Sequence, residues 1–104
     1  MKKDILKKII KLKKENLKLA RAFIIQAKSS SPRNTGTEML ITEEGETFGS
    51  IGGGQDEKTV IEKALDLIEN GKSEKLKLTL TRKEAAEIGW VCGGQIDIFI
   101  QIIS

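Results

Sequence analysis

Isoleucine occupies every second position from Ile96 to Ile102, with Asp97, Phe99 and Gln101 between. Successive side chains of a strand point to opposite faces, so residues 95–103 read as a strand with one aliphatic face. Lys75 to Leu80 repeats the pattern with Leu76, Leu78 and Leu80 inward, a half-buried strand. An aliphatic strand face has to be covered by a second layer, which makes one sheet with helices packed on it the economical solution.

Helical periodicity supplies the cover. Residues 3–15 place Ile5, Leu6, Ile9, Ile10 and Leu12 on one side at about 100° per residue, and Lys7, Lys8, Lys11 and Lys14 on the other. Glu15-Asn16 marks the exit. Leu17 to Ser29 turns apolar and β-branched around Phe23-Ile24-Ile25, the pattern of a central strand with apolar residues on both faces. Ser29 to Gly36 reads as a loop around Pro32, the single proline. Met39-Leu40-Ile41 and Phe48-Gly49-Ser50-Ile51 flank Glu43-Glu44-Gly45-Glu46, a hairpin with Gly45 in the turn. Gly52-Gly53-Gly54 opens a second helix that runs to about Asn70, with Val60, Ile61, Ala64, Leu65, Leu67 and Ile68 as its stripe and Gly71 as its C-cap. Thr81-Arg82-Lys83-Glu84 has the form of a capping box, which predicts a short third helix to Ile88, closed by Gly89. The fold expected is α+β: a single sheet of about five strands with three helices packed on it, in the order α-β-β-β-α-β-α-β. Strand order within the sheet is not legible.

A chain of 104 residues holds one core, so residues 1–104 are read as a single domain. With three Phe, one Trp and no Tyr, that core is aliphatic. No apolar run approaches a membrane span, and the Lys-rich start lacks the apolar stretch of a secretory signal. Cys92 is the single cysteine and can form no internal disulfide, which suits a reducing compartment; a cytoplasmic location is expected. The net charge of +3 is unevenly held. Residues 1–18 carry eight Lys against Asp4 and Glu15, a local balance of +6, which leaves −3 for the remainder. Such a segment fits a solvated helix face or an acidic partner. Nucleic-acid binding is not expected, because no basic stripe is interleaved with aromatics.

Three irregular segments combine polar groups with glycine at strand ends, where rigid folds place their sites: 29–36, 52–57 and 92–94. Gly52, Gly53 and Gly54 ahead of a helix allow backbone N–H groups to approach an anion closely, or simply make a tight turn. Arg33 beside serine hydroxyls suits a phosphate or carboxylate clamp, or pairs with a surface glutamate. Cys92 is the single soft nucleophile or metal ligand, with Gly93 and Gly94 leaving its surroundings open; a buried, inert thiol is the alternative. The chain has no His, which excludes Cys-His pairs, Ser-His-Asp triads and His-ligated metals. No paired acid/base carboxylates stand out, so an enzyme is not expected, the alternative being a weak one that uses Cys92 as a sulfur carrier.

Taken in order, Ser31-Pro32-Arg33-x-x-Gly36-x-x-Met39, Gly45-x-x-x-Gly49-x-x-Gly52-Gly53-Gly54 and Cys92-Gly93-Gly94 resemble the N-terminal domain of the XdhC/CoxI family, from about residue 3 onward. The resemblance implies a chaperone that binds molybdenum cofactor, assists its sulfuration and delivers it to molybdenum hydroxylases of the xanthine dehydrogenase type. It implies anion contacts from Ser31 and Arg33 and backbone donors from Gly52, Gly53 and Gly54, with Gln55, Gly93 and Gly94 beside them. The Cys92 thiol would stand near the molybdenum. Most members have a cysteine where this chain has Gln55, which leaves Cys92 to act alone. Full-length members add a C-terminal Rossmann-like domain, so a separate Rossmann-domain chain, a cysteine desulfurase or a second copy are further partners implied. A docking module that engages a hydroxylase without touching cofactor is the competing expectation.

Overall fold

The computed structural model describes residues 2–28, 36–52, 54–79 and 95–103. In chain order these form α1 (Lys3–Lys14), β1 (Leu19–Lys28), β2 (Glu38–Thr42), β3 (Thr47–Gly49), α2 (Gly54–Asn70), β4 (Glu74–Thr79) and β5 (Gln95–Ile103). The strands make one antiparallel sheet in the order β3-β2-β1-β5-β4. β1 is therefore central, as its two apolar faces predict.

The alternation in β5 and β4 does what the sequence demands. Ile24 pairs with Ile98, and Ile98 with Leu76, so one face of the sheet carries Ile96, Ile98, Ile100 and Ile102 toward α2. Val60, Ala64, Leu67 and Ile68 of α2 close that layer, together with Ala20, Ala22, Met39, Ile41 and Ile51. Helix α2 ends at Gly71, at φ +69°, and Gly45 takes φ +86° in the hairpin turn. Asn16, at φ +59°, turns the chain out of α1.

The other face is covered by α1, whose Ile5, Ile9 and Leu12 pack on Leu19 and Leu40, with Phe48 and Ile103 at the margin. Leu6 and Ile10, expected on the buried stripe, are 48% and 51% exposed. The reason is geometric. A helix lying flat on a sheet buries only the arc centred on Ile5, Ile9 and Leu12, and Leu6 and Ile10 fall about 100–140° away from Ile5 on its flank.

Other boundaries also shift. Two helices, not three, stand among the described residues, and their element order is α-β-β-β-α-β-β. The third helix expected after Thr81 lies outside the described residues, as does Leu80. β1 begins at Leu19 rather than Leu17, α2 at Gly54 rather than Gly52, and β3 ends at Gly49, leaving Ile51 to enter the core from beyond the strand. Gly49 explains that ending. Its φ is +81°, and a Cβ there would stand 2.9 Å from the Glu38 carbonyl oxygen of the neighbouring strand. Gly49→Ala is therefore expected to destabilise the protein by about 1–3 kcal/mol, to be measured by urea denaturation.

Candidate functional site

The register brings the strand ends that carry the predicted segments to one end of the sheet, while most of the segments' own residues lie outside the described ones. Lys28, the last residue of β1, pairs with Gln95, the first of β5, and Gln95 pairs with Thr79, the last of β4. The chain thus leaves toward residue 29 and returns from residue 94 at neighbouring strands about 5 Å apart. At the same end, Glu38 opens β2 opposite Phe23, and Gly49 closes β3 opposite Met39. Gly36 is held to β1 by its N–H, which donates to the Ile24 carbonyl at 2.8 Å, while the Ile24 N–H donates to the Thr37 carbonyl at 2.9 Å. All three glycine-containing segments are therefore anchored at one end of the sheet. Ser31, Arg33, Gly53, Cys92, Gly93 and Gly94 lie outside the described residues. Gly54 and Gln55 form the first turn of α2.

Gly52 is the predicted site residue whose surroundings are visible. Its N–H donates to Ser50 Oγ at 3.0 Å. Ser50 Oγ in turn donates to Glu57 Oε1 at 2.5 Å, and the Ile51 N–H donates to the same oxygen at 3.2 Å. A carboxylate from the first turn of α2 thus gathers the donors of the turn that precedes it, which also suits the helix dipole. The Gly52 amide is engaged within the chain, and any anion drawing on this segment has to displace Ser50 or use the amides that follow.

Beside this turn runs a groove of about 390 Å³ between the start of α1 and β3, with Ile5 and Phe48 as its apolar part and Lys2, Lys8 and Ser50 among its polar lining. The Lys8 ammonium sits 4.0 Å from the centre of the Phe48 ring, an ammonium held over a π face. Glu38 closes the groove floor. Its carboxylate, 1% exposed, accepts a hydrogen bond from the Lys2 N–H at 2.8 Å and one from Arg21 Nε at 2.5 Å. Burial pushes the Glu38 carboxyl up, but the Lys2 amide, the Arg21 hydrogen bond and the Arg21 charge together outweigh it and hold the group below the usual carboxylate range. Arg21 also lies over the Phe23 ring, 4.0 Å from its centre. None of these groove residues is flagged by spacing or motif; the one available signal is that Phe48-Gly49-Ser50 runs directly into the triple glycine. Among the described residues no cluster of Cys, Asp and Glu is arranged to hold a metal ion, and no helix is long and apolar enough to cross a membrane.

Comparison with known proteins agrees with this architecture. A solved structure described as a xanthine dehydrogenase (BH1974) from Bacillus halodurans superposes with a TM-score of 0.74 over 94% of this chain, at 22% identity, and 30% of that chain is covered. The protein YqeB of Escherichia coli K12, described as uncharacterized, is 32% identical over 99 residues. That match takes in 95% of this chain and 18% of YqeB, so the chain spans under a third of either relative's length. The model of the XdhC and CoxI family matches residues 12–82, which hold the serine loop, the hairpin and the triple glycine. The ordered motifs, the sheet they punctuate and this match agree: the chain belongs to the XdhC and CoxI family.

Proposed function

We propose that the protein is an accessory factor in the maturation of xanthine dehydrogenase-type molybdenum hydroxylases, and that it binds molybdenum cofactor as cargo rather than catalysing a reaction. The observation that carries the reading is the shared anchoring of segments 29–36, 52–57 and 92–94 at one sheet end, in a chain of this family. A pterin bearing a phosphate and a dithiolene asks for anion donors, a flat apolar contact and a soft ligand within one small region. Arg33 with Ser31 offers the first. The amides of Gly53 and Gly54, beside Gln55, add backbone donors. Cys92, next to Gly93 and Gly94, offers a thiolate suited to molybdenum or its terminal sulfur. Its partners in this role are a hydroxylase and a cysteine desulfurase, in the cytoplasm.

The test is anaerobic binding of molybdenum cofactor to the wild type and to Cys92→Ser, followed by absorbance and by molybdenum that co-elutes with the protein. The wild type is expected to retain near-stoichiometric molybdenum and Cys92→Ser to lose about tenfold or more in affinity. A wild type that retains none would refute cargo binding and transfer the function to docking alone.

A further inference from the structure

Among the described residues the two faces of the sheet are covered unequally. Toward α2 the layer is closed, with Ile24, Ile98 and Ile100 at or below 1% exposure. On the α1 side, Lys8 reaches the Phe48 ring on the edge strand β3. Leu6 and Ile10 lie on the opposite flank of the helix, turned away from β3 and over the β1–β5 side of the same face. There the register sets Phe23 beside Phe99 and Phe99 beside Lys75, with Asp97 beside Lys77. The two rings lie 5.7 Å apart and are half-buried, and among the described residues α1 is the helix on this side. Leu6 and Ile10, about half exposed, thus stand on a helix above a sheet face that carries this aromatic pair, which makes a step between helix and sheet.

Its charge says what fits. Glu38 is matched by Arg21 and Asp97 by Lys75, 3.6 Å away. Lys77 is exposed on the floor side, and Lys3, Lys7 and Lys14 line the outermost pole of α1, within a segment of net charge +6. The step is thus apolar at its centre and cationic at its rim. We propose that it docks a separate protein whose surface is apolar in the middle and lined by carboxylates around it. A second copy related by a two-fold axis would bring two such lysine sets together, which like-charge repulsion opposes. A lipid surface asks for a broad apolar helix face, and here that face is already spent on the sheet, with two side chains left over.

The partner identity tested rests on the maturation role above, whereas the surface itself rests on exposure and charge. The probe is the apo form of the xanthine dehydrogenase-type hydroxylase from the same organism, with binding measured at low and high salt. Leu6→Asp/Ile10→Asp is expected to weaken binding by about tenfold or more. Lys7→Glu/Lys14→Glu is expected to slow association and flatten the salt dependence. Both pairs are exposed, and an unchanged circular dichroism melt checks that they fold. Cofactor retention measured on the same variants is expected to stay at the wild-type level, so loss of docking and loss of cargo binding are read separately. Wild-type affinity in both variants, or no binding of the hydroxylase by the wild type, overturns the proposal. So does self-association that the variants abolish, or wild-type binding to phosphatidylcholine vesicles with about one-third phosphatidylserine.

Discussion

Arg21→Ala is expected to destabilise the protein by about 3–5 kcal/mol, a large part of the roughly 5–15 kcal/mol that holds a domain of this size together. The pair it breaks is buried on both sides, with Arg21 12% and Glu38 1% exposed at the side chain. Without the guanidinium, Glu38 keeps the Lys2 amide but stays charged in a dry site or has to take up a proton, and both cost stability. Because that amide belongs to the residue that leads into α1, the start of the helix is expected to fray as well. Adding Glu38→Gln to Arg21→Ala removes the stranded charge and is expected to restore most of the loss.

The same carboxylate gives the prediction a pH axis. The folded protein holds the Glu38 pKa below its ordinary value, so the unfolded chain binds the proton first as pH falls. Its stabilising contribution is complete above the unfolded pKa and is lost as pH falls through the lowered folded one. Wild type is therefore expected to lose stability more steeply than Glu38→Gln between about pH 5 and pH 2. Urea midpoints across that range decide it, and equal slopes for the two proteins would count against the pair as an anchor.

Periodicity and punctuation made most of the elements legible. Ile96 to Ile102, the Leu alternation in β4, Gly45 and Gly71 each named an element or its end from local chemistry alone. The spatial order did not follow, because β5 inserts between β1 and β4, a pairing between residues some 75 positions apart that no local signal encodes. That the three glycine-containing segments attach at one end of the sheet became visible only through that register. Leu6 and Ile10 misled for a related reason: a 3.6-residue period marks an apolar half-circle, whereas contact with a sheet uses a narrower arc. Glu38 was illegible in a different way. A lone acidic residue looks like surface, and its partner Arg21 stands 17 positions upstream, so neither announces a buried pair.

The distinction between arc and flank sets up the second large effect. Ile98 lies on β5 between Ile24 and Leu76, faces α2 and is fully buried. Ala20, Ala22 and Ala64 of the same core cluster are also fully buried. Ile98→Ala leaves a cavity within this packed layer and is expected to cost about 3–4 kcal/mol. For a domain of this size that corresponds to a drop of about 12–25 °C in Tm. Ile10→Ala removes the same atoms from a side chain that is half exposed, and is expected to stay within about 0.5 kcal/mol of wild type. Calorimetry on the two variants separates buried stripe from docking flank. A loss for Ile10→Ala that approached that of Ile98→Ala would mean that the flank packs within the chain, and the surface proposed for a partner would be withdrawn with it.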